Sequence, residues 1–116
     1  MKIPNSFKIG GGKKVKVDTF ESIPNREDVF GDYSCVRSQI RLGKSILDGE
    51  GNKVDVSEED LERTFWHETF HAFQWFYNTE YDETQAQCFS NFMYELMHSL
   101  DYAEEERICS NTEKKN

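Results

Sequence analysis

Three residues in the stretch Phe65-Trp66-His67-Glu68-Thr69-Phe70-His71 carry chemistry that no other short segment of the chain offers. His67 and His71 stand four positions apart. On an α-helix such residues share one face, with Cβ atoms about 5–6 Å apart, so two imidazoles can converge on one metal ion. Glu68, one position on, projects at an adjacent angle, where a carboxylate can hold and deprotonate a metal-bound water instead of ligating the metal. With three histidines and fourteen glutamates in 116 residues, the pattern HExxH arises by accident roughly 0.01 times per chain. Its flanks (Phe65, Trp66, Phe70, Ala72, Phe73) are apolar, and ionisable groups set among apolar neighbours are costly unless paired or metal-bound.

A catalytic zinc site takes three protein ligands and keeps one position open, so a third donor is required. The extended pattern HExxHxxGxxH is not met, because Gln74 and Tyr77 occupy its glycine and third-histidine positions. The downstream acids are Glu80, Asp82 and Glu83. Glu83 is expected about one turn into a second helix and His71 about two turns before the end of the first, which an antiparallel hairpin brings to similar heights. Ala86 shares roughly the Glu83 face and is small enough to let the helices approach. The alternative role for Glu83 is that of a solvated first-turn acid favoured by the helix dipole.

His67-Glu68-Thr69-Phe70-His71 followed by Glu83-Thr84-Gln85-Ala86 resembles the HExxH…ExxA arrangement of the gluzincin class of zinc peptidases, particularly its compact, minigluzincin-type members. The resemblance covers residues 57–100. It implies that His67, His71 and Glu83 bind Zn²⁺, that Glu68 is the general base, that the substrate is a peptide or protein, and that the strand Tyr33 to Leu42, upstream of the helix, is the edge strand along which an extended substrate aligns. In a related class an aspartate is the third ligand after Gly-Thr-x-x-Asp. Asn78-Thr79-Glu80-Tyr81-Asp82 is a near miss to that pattern, which makes Asp82 the alternative ligand. Gluzincins often supply a Tyr or His to the oxyanion, and here Tyr81, Tyr33 and His98 are the options. His98 lies fifteen residues beyond Glu83, about 22 Å along a continuous helix, which suits a surface or otherwise satisfied histidine. Gln87 shares the Glu83 face and is a candidate for supporting the ligands.

These residues need a scaffold. Ser57 followed by Asp60 forms a capping box with Asp in place of Glu, and Glu58 and Glu59 suit the positive end of a helix. The helix is expected to run to Tyr77, with Asn78 as its left-handed end. Thr79 with Asp82 offers a new cap for a helix from about Glu80 to about Tyr102, with Ala86, Phe89, Met93, Leu96 and Leu100 along one face. Upstream, Phe7 to Val17 alternates around Gly10-Gly11-Gly12, a hairpin signal; no phosphate-binding loop is expected there, since GxxxxGK[ST] is not satisfied. Residues 18–32 read as loop, Tyr33 to Leu42 as one half-exposed strand of period two, and Gly43 to Asn52 as turn or loop. The expected fold is α+β: a small N-terminal antiparallel sheet packed on an antiparallel helix pair, zincin-like. One domain spans 1–102, with a polar, disordered tail over 103–116. The core is expected mainly between Leu61 and Tyr102, where the aromatics Trp66, Phe70, Phe73, Trp75, Phe76 and Tyr77 fall.

A net charge of −8 without a basic run speaks against nucleic acid as a partner. No stretch approaches the ~18 apolar residues of a membrane span, and the first residues lack the pattern of a secretory signal. Cys35, Cys88 and Cys109 are odd in number and form no CxxC pair, as expected of free thiols in the cytoplasm. The alternative to an enzyme is a zinc-stabilised binding module or a degenerate or latent peptidase. A fourth protein ligand, with His98 or Cys109 as candidates, would mark such a structural site.

Overall fold

The computed structural model describes residues 1–100. Strands β1 (Ser6–Ile9) and β2 (Lys13–Phe20) form the expected hairpin, with Phe7 opposite Val15. Its loop takes positive φ at Gly10, Gly11 and Gly12, a conformation in which a Cβ is costly. The chain then crosses to β3 (Gly31–Ser34), turns, and returns as β4 (Gln39–Gly43). A second hairpin, β5 (Ser45–Leu47) and β6 (Lys53–Asp55), precedes helices α1 (Glu58–Phe76) and α2 (Glu83–Ser99). The fold is α+β.

The sheet is mixed rather than antiparallel throughout. Its order is β1-β2-β4-β3, and β2 runs parallel to β4, with Val17 opposite Ile40 and Thr19 opposite Leu42. The β3–β4 hairpin causes this: β3 runs down the far edge, and its returning partner fills the gap beside β2 in the same direction as β2. The single strand expected over 33–42 is therefore two strands. Between them the Ser34 hydroxyl accepts from Arg37 N–H at 3.2 Å, and Ser38 takes φ 51°. Period-two alternation continues through such a turn and does not register it. Likewise the loop expected over 43–52 contains β5 and a turn in which the Asp48 carboxylate accepts from Glu50 and Asn52 N–H.

Ser57 caps α1 as expected, its hydroxyl accepting from Asp60 N–H at 3.0 Å, and Asn78 beyond the helix end has φ 54°. Helix α2 starts three residues later than expected, with Asp82 and not Thr79 as its N-cap. The preceding segment is held elsewhere: Thr79 N–H donates to the Gln74 carbonyl at 3.0 Å, and the Gln74 amide donates to the Glu80 carbonyl at 3.0 Å. Helix α2 ends at Ser99. The expected continuation to Tyr102, the expected tail over 103–116 and Cys109 lie outside the described residues. Contacts between Arg63 and Asn91, Phe70 and Phe89, and Glu62 and His98 run in opposite senses along the two helices, which are antiparallel around the fully buried Ala86.

The core combines both halves of the chain, a correction to the expectation that 61–102 supply it. Val15, Val17, Ile40 and Leu42 from the sheet meet Phe65 of α1, with Phe7, Trp66 and Phe76 packed around them. Each such side chain contributes roughly 1.5–3 kcal/mol on burial. Among the aromatics expected inside, Phe73, Trp75 and Tyr77 are exposed. Among the described residues no helix is long and apolar enough to cross a membrane.

Candidate metal centre

One continuous turn of α1 sets His67 and His71 side by side, and the α1–α2 connection brings Glu83, the first residue of α2, over them. His67 Nε2 lies 3.2 Å from His71 Nε2 and 3.3 Å from Glu83 Oε1, which also contacts His71 Nε2. Two ligand atoms that each lie 2.0–2.1 Å from a tetrahedral ion are about 3.3 Å apart, which matches the two separations made by His67, whereas His71 and Glu83 stand in direct contact and would have to part to admit an ion. These three residues could hold a metal ion. The donor set, two imidazoles and a carboxylate, is one that zinc accepts. Desolvation pushes the Glu83 carboxyl up, but hydrogen bonds with Tyr81, His67 and His71 more than offset it and hold it below the usual carboxylate range.

Gln74 fixes how His71 is presented. Its Oε1 lies 2.8 Å from His71 Nδ1, while its amide nitrogen is committed to the Glu80 carbonyl. The oxygen must therefore accept, so Nδ1 carries a proton and Nε2 is the ring nitrogen turned to Glu83 and His67, the atom that would ligate an ion. In the sequence Gln74 stands out only as breaking an extended motif; its spacing of three residues from His71 on one helix face is the signal of this contact.

Glu68 is buried beside the centre and belongs to no ion pair among the described residues. Burial, then the charges of Glu83 and Asp32, push its carboxyl up to about 8, with the Arg26 charge opposing. It lines two clefts that share Gly31 and Glu68 as walls. One, of ≈ 240 Å³, adds His67, Arg63, Gln87 and Ser90; the other, of ≈ 310 Å³, adds His71, Glu83, Tyr81, Tyr33 and Arg26.

Strand β3 closes the opposite side. Phe30 C=O accepts from Gly43 N–H at 2.9 Å, so Phe30, Asp32 and Ser34 occupy the hydrogen-bonded positions toward β4. In an antiparallel ladder the alternate residues, Gly31 and Tyr33, then turn their N–H and C=O to the free edge. Gly31 permits the close approach of α1, since a Cβ there would stand 2.6 Å from Thr64 Cγ2 and 2.9 Å from the Arg41 carbonyl. The strand beside the helix is thus β3, while β4, the larger part of the expected strand, is interior.

The other expected residues divide. The Tyr81 hydroxyl donates to Glu83 Oε1 at 2.9 Å and its ring stacks on His71 at 4.4 Å. Desolvation, then the bond to Glu83 and the charges of Glu83 and Glu68, push this phenol up to about 12. Tyr33 lines the same cleft, its buried hydroxyl without a partner among the described residues. Asp82 is occupied in capping α2, with Oδ1 2.9 Å from Gln85 N. His98 is far down α2, bonded to Glu62. Gln87 lines the first cleft, its amide 3.4 Å from Asn91 Oδ1. Comparison with protein-family models, with curated proteins and with solved structures found no match.

Proposed function

We propose that the protein is a zinc-dependent peptidase of gluzincin type, with His67, His71 and Glu83 as zinc ligands and Glu68 as general base. The observation that carries this reading is the convergence of three donor atoms beside a buried carboxylate that is not one of them and that opens on two clefts. Zinc in this position would supply Lewis acidity and a water made acidic near neutral pH. The rest falls to the chain's own groups. Glu68 takes the proton of the attacking water and passes it to the leaving amine. Tyr81, protonated at neutral pH, offers an O–H donor beside the centre. The free N–H and C=O groups of Gly31 and Tyr33 suit an extended peptide added along β3. In this reading the protein works in the cytoplasm, where Cys35 and Cys88 remain exposed free thiols.

A second reading, a metal clasp without catalysis, has one observation in its favour: the ligands come from both helices, so an ion would tie α1 to α2. A clasp is normally closed by a fourth protein ligand, and among the described residues the group contains three.

Glu68→Gln separates the two. It is nearly isosteric and leaves the ligands in place, so zinc content should stay near one per chain. Cleavage of a mixed peptide library should fall by at least the roughly 10²–10⁴-fold that a general base supplies. Equal cleavage by the zinc-loaded variant would exclude Glu68 as the base. A zinc-loaded wild type that cleaves nothing would favour the clasp.

A further inference from the structure

Among the described residues, Arg26 is the only Lys or Arg in the wall of the cleft that holds Glu68, His71, Glu83 and Tyr33. Its backbone is anchored: its N–H donates to the carbonyl of the fully buried Ile23 at 3.0 Å, and its own carbonyl accepts from Val29 N–H at 3.2 Å. Its head group is not. The side chain is 52% exposed, and its ion pair is a single 3.6 Å contact from Nη1 to Asp32 Oδ2. That carboxylate already has a better partner, since Arg41 grips it in a fork, Nε to Oδ1 at 2.9 Å and Nη2 to Oδ2 at 2.5 Å. Nor does Arg26 pair with Glu68 or Glu83, as a cation that served only to offset the acidic wall would be expected to do. A guanidinium presents five N–H donors in a planar fork matched to a carboxylate, and most of them have no protein acceptor among the described residues.

We propose that Arg26 binds a carboxylate of the peptide substrate, so that the centre prefers peptides carrying this group within reach of the cleaved bond. The proposal rests on the peptidase reading. The carboxylate is either the C-terminal one or an Asp or Glu side chain, and both present the same two oxygens to the fork.

The test uses amidated and free-acid pools of mixed-sequence hexapeptides, and a pair of amidated pools with one internal Glu or one internal Gln. Binding is read by fluorescence anisotropy on zinc-loaded Glu68→Gln protein, and cleavage by mass spectrometry on zinc-loaded wild type. At least one carboxylate-bearing pool should bind about tenfold more tightly than its neutral partner. Preference for the free-acid pool assigns the C-terminal group, and preference for the Glu pool a side chain. Adding Arg26→Ala should abolish the preference, and Arg26→Lys should retain only part of it, because an ammonium keeps the charge without the fork. Pools that bind alike or not at all, or a preference that survives Arg26→Ala, would overturn the assignment. The two readings fail differently: cleavage of all pools without preference removes only the role of Arg26, whereas an Arg26-dependent binding preference without any cleavage removes only the peptidase.

Discussion

The same helix pair joins a histidine to a glutamate at each end, with opposite arrangements of burial. At the hairpin end the His71 side chain is 6% exposed and Glu83 61%. At the far end the Glu62 side chain is 5% exposed and His98 42%. A buried carboxylate needs partners, and Glu62 has two, the Met1 amine at 3.0 Å and the His98 ring at 2.8 Å. A buried imidazole whose Nδ1 is held by Gln74, and whose Nε2 faces Glu83 and a second imidazole 3.2 Å away, is a different arrangement, in which donor atoms of three residues converge. One end pairs a buried acid with two nitrogen groups, and in the proposed reading the other is a ligand set that a metal ion would bind.

The sharpest break of that comparison is metal content. Purified protein should carry close to one zinc per chain, and either His67→Ala or His71→Ala should abolish it, because a single imidazole with Glu83 does not chelate the ion adequately. His98→Ala should leave the content unchanged. Glu83→Ala should weaken zinc severely, while Asp82→Ala should cost only a helix cap, about 1 kcal/mol of stability. Zinc retained without His71, or lost without His98, would reverse the roles of the two ends; both are read by elemental analysis after dialysis.

The part of the centre that local rules govern was legible in the sequence. His67, Glu68 and His71 lie on one helix whose cap, Ser57, can be read from its neighbours, and Glu83 follows from a short connection. What brings Gly31, Asp32, Tyr33 and Arg26 to the same place is the parallel pairing of β2 with β4, which puts β3 at the edge beside α1. That pairing depends on a turn at Ser34–Ser38 that interrupts no hydrophobic alternation, so neither the edge strand nor the arginine could be placed. The late start of α2 was missed for a related reason: the Gln74 side chain, not the capping preference of Thr79, decides where the connection ends.

A smaller effect concerns the cost of burying Glu68 at the hairpin end. In zinc-free protein the Glu68 carboxyl is held up to about 8, against an ordinary 4.5, chiefly by burial. Between those values the folded state binds the extra proton and the unfolded state does not. Stability therefore falls as pH rises from about 4.5 through about 8. Glu68→Gln carries no charge and removes this slope. In urea titrations without zinc the variant should match the wild type below pH 4.5 and exceed it above pH 8, by on the order of a few kcal/mol. A difference that does not change with pH would mean that Glu68 is not penalised by burial, and the contrast in how the two ends bury a carboxylate would lose its energetic basis.

The smallest effect belongs to the far end. His98→Ala removes two contacts to Glu62, at 2.9 and 2.8 Å, and a ring stacked on Tyr94 at 4.2 Å. The imidazole is partly in solvent and Glu62 keeps the Met1 amine, so the carboxylate is not left alone in the interior. An ion pair open to water contributes roughly 0.2–1 kcal/mol, and the loss should be about 1 kcal/mol, smaller at high salt. It should also be the same with and without zinc, because His98 and Glu62 belong to no proposed ligand set. His71→Ala should behave in the opposite way, with a cost that grows on adding zinc as the wild type gains binding energy that the variant cannot. Unfolding titrations of both variants in both states make the test: equal dependence on zinc at His98 and His71 would mean that the two ends form one coupled unit.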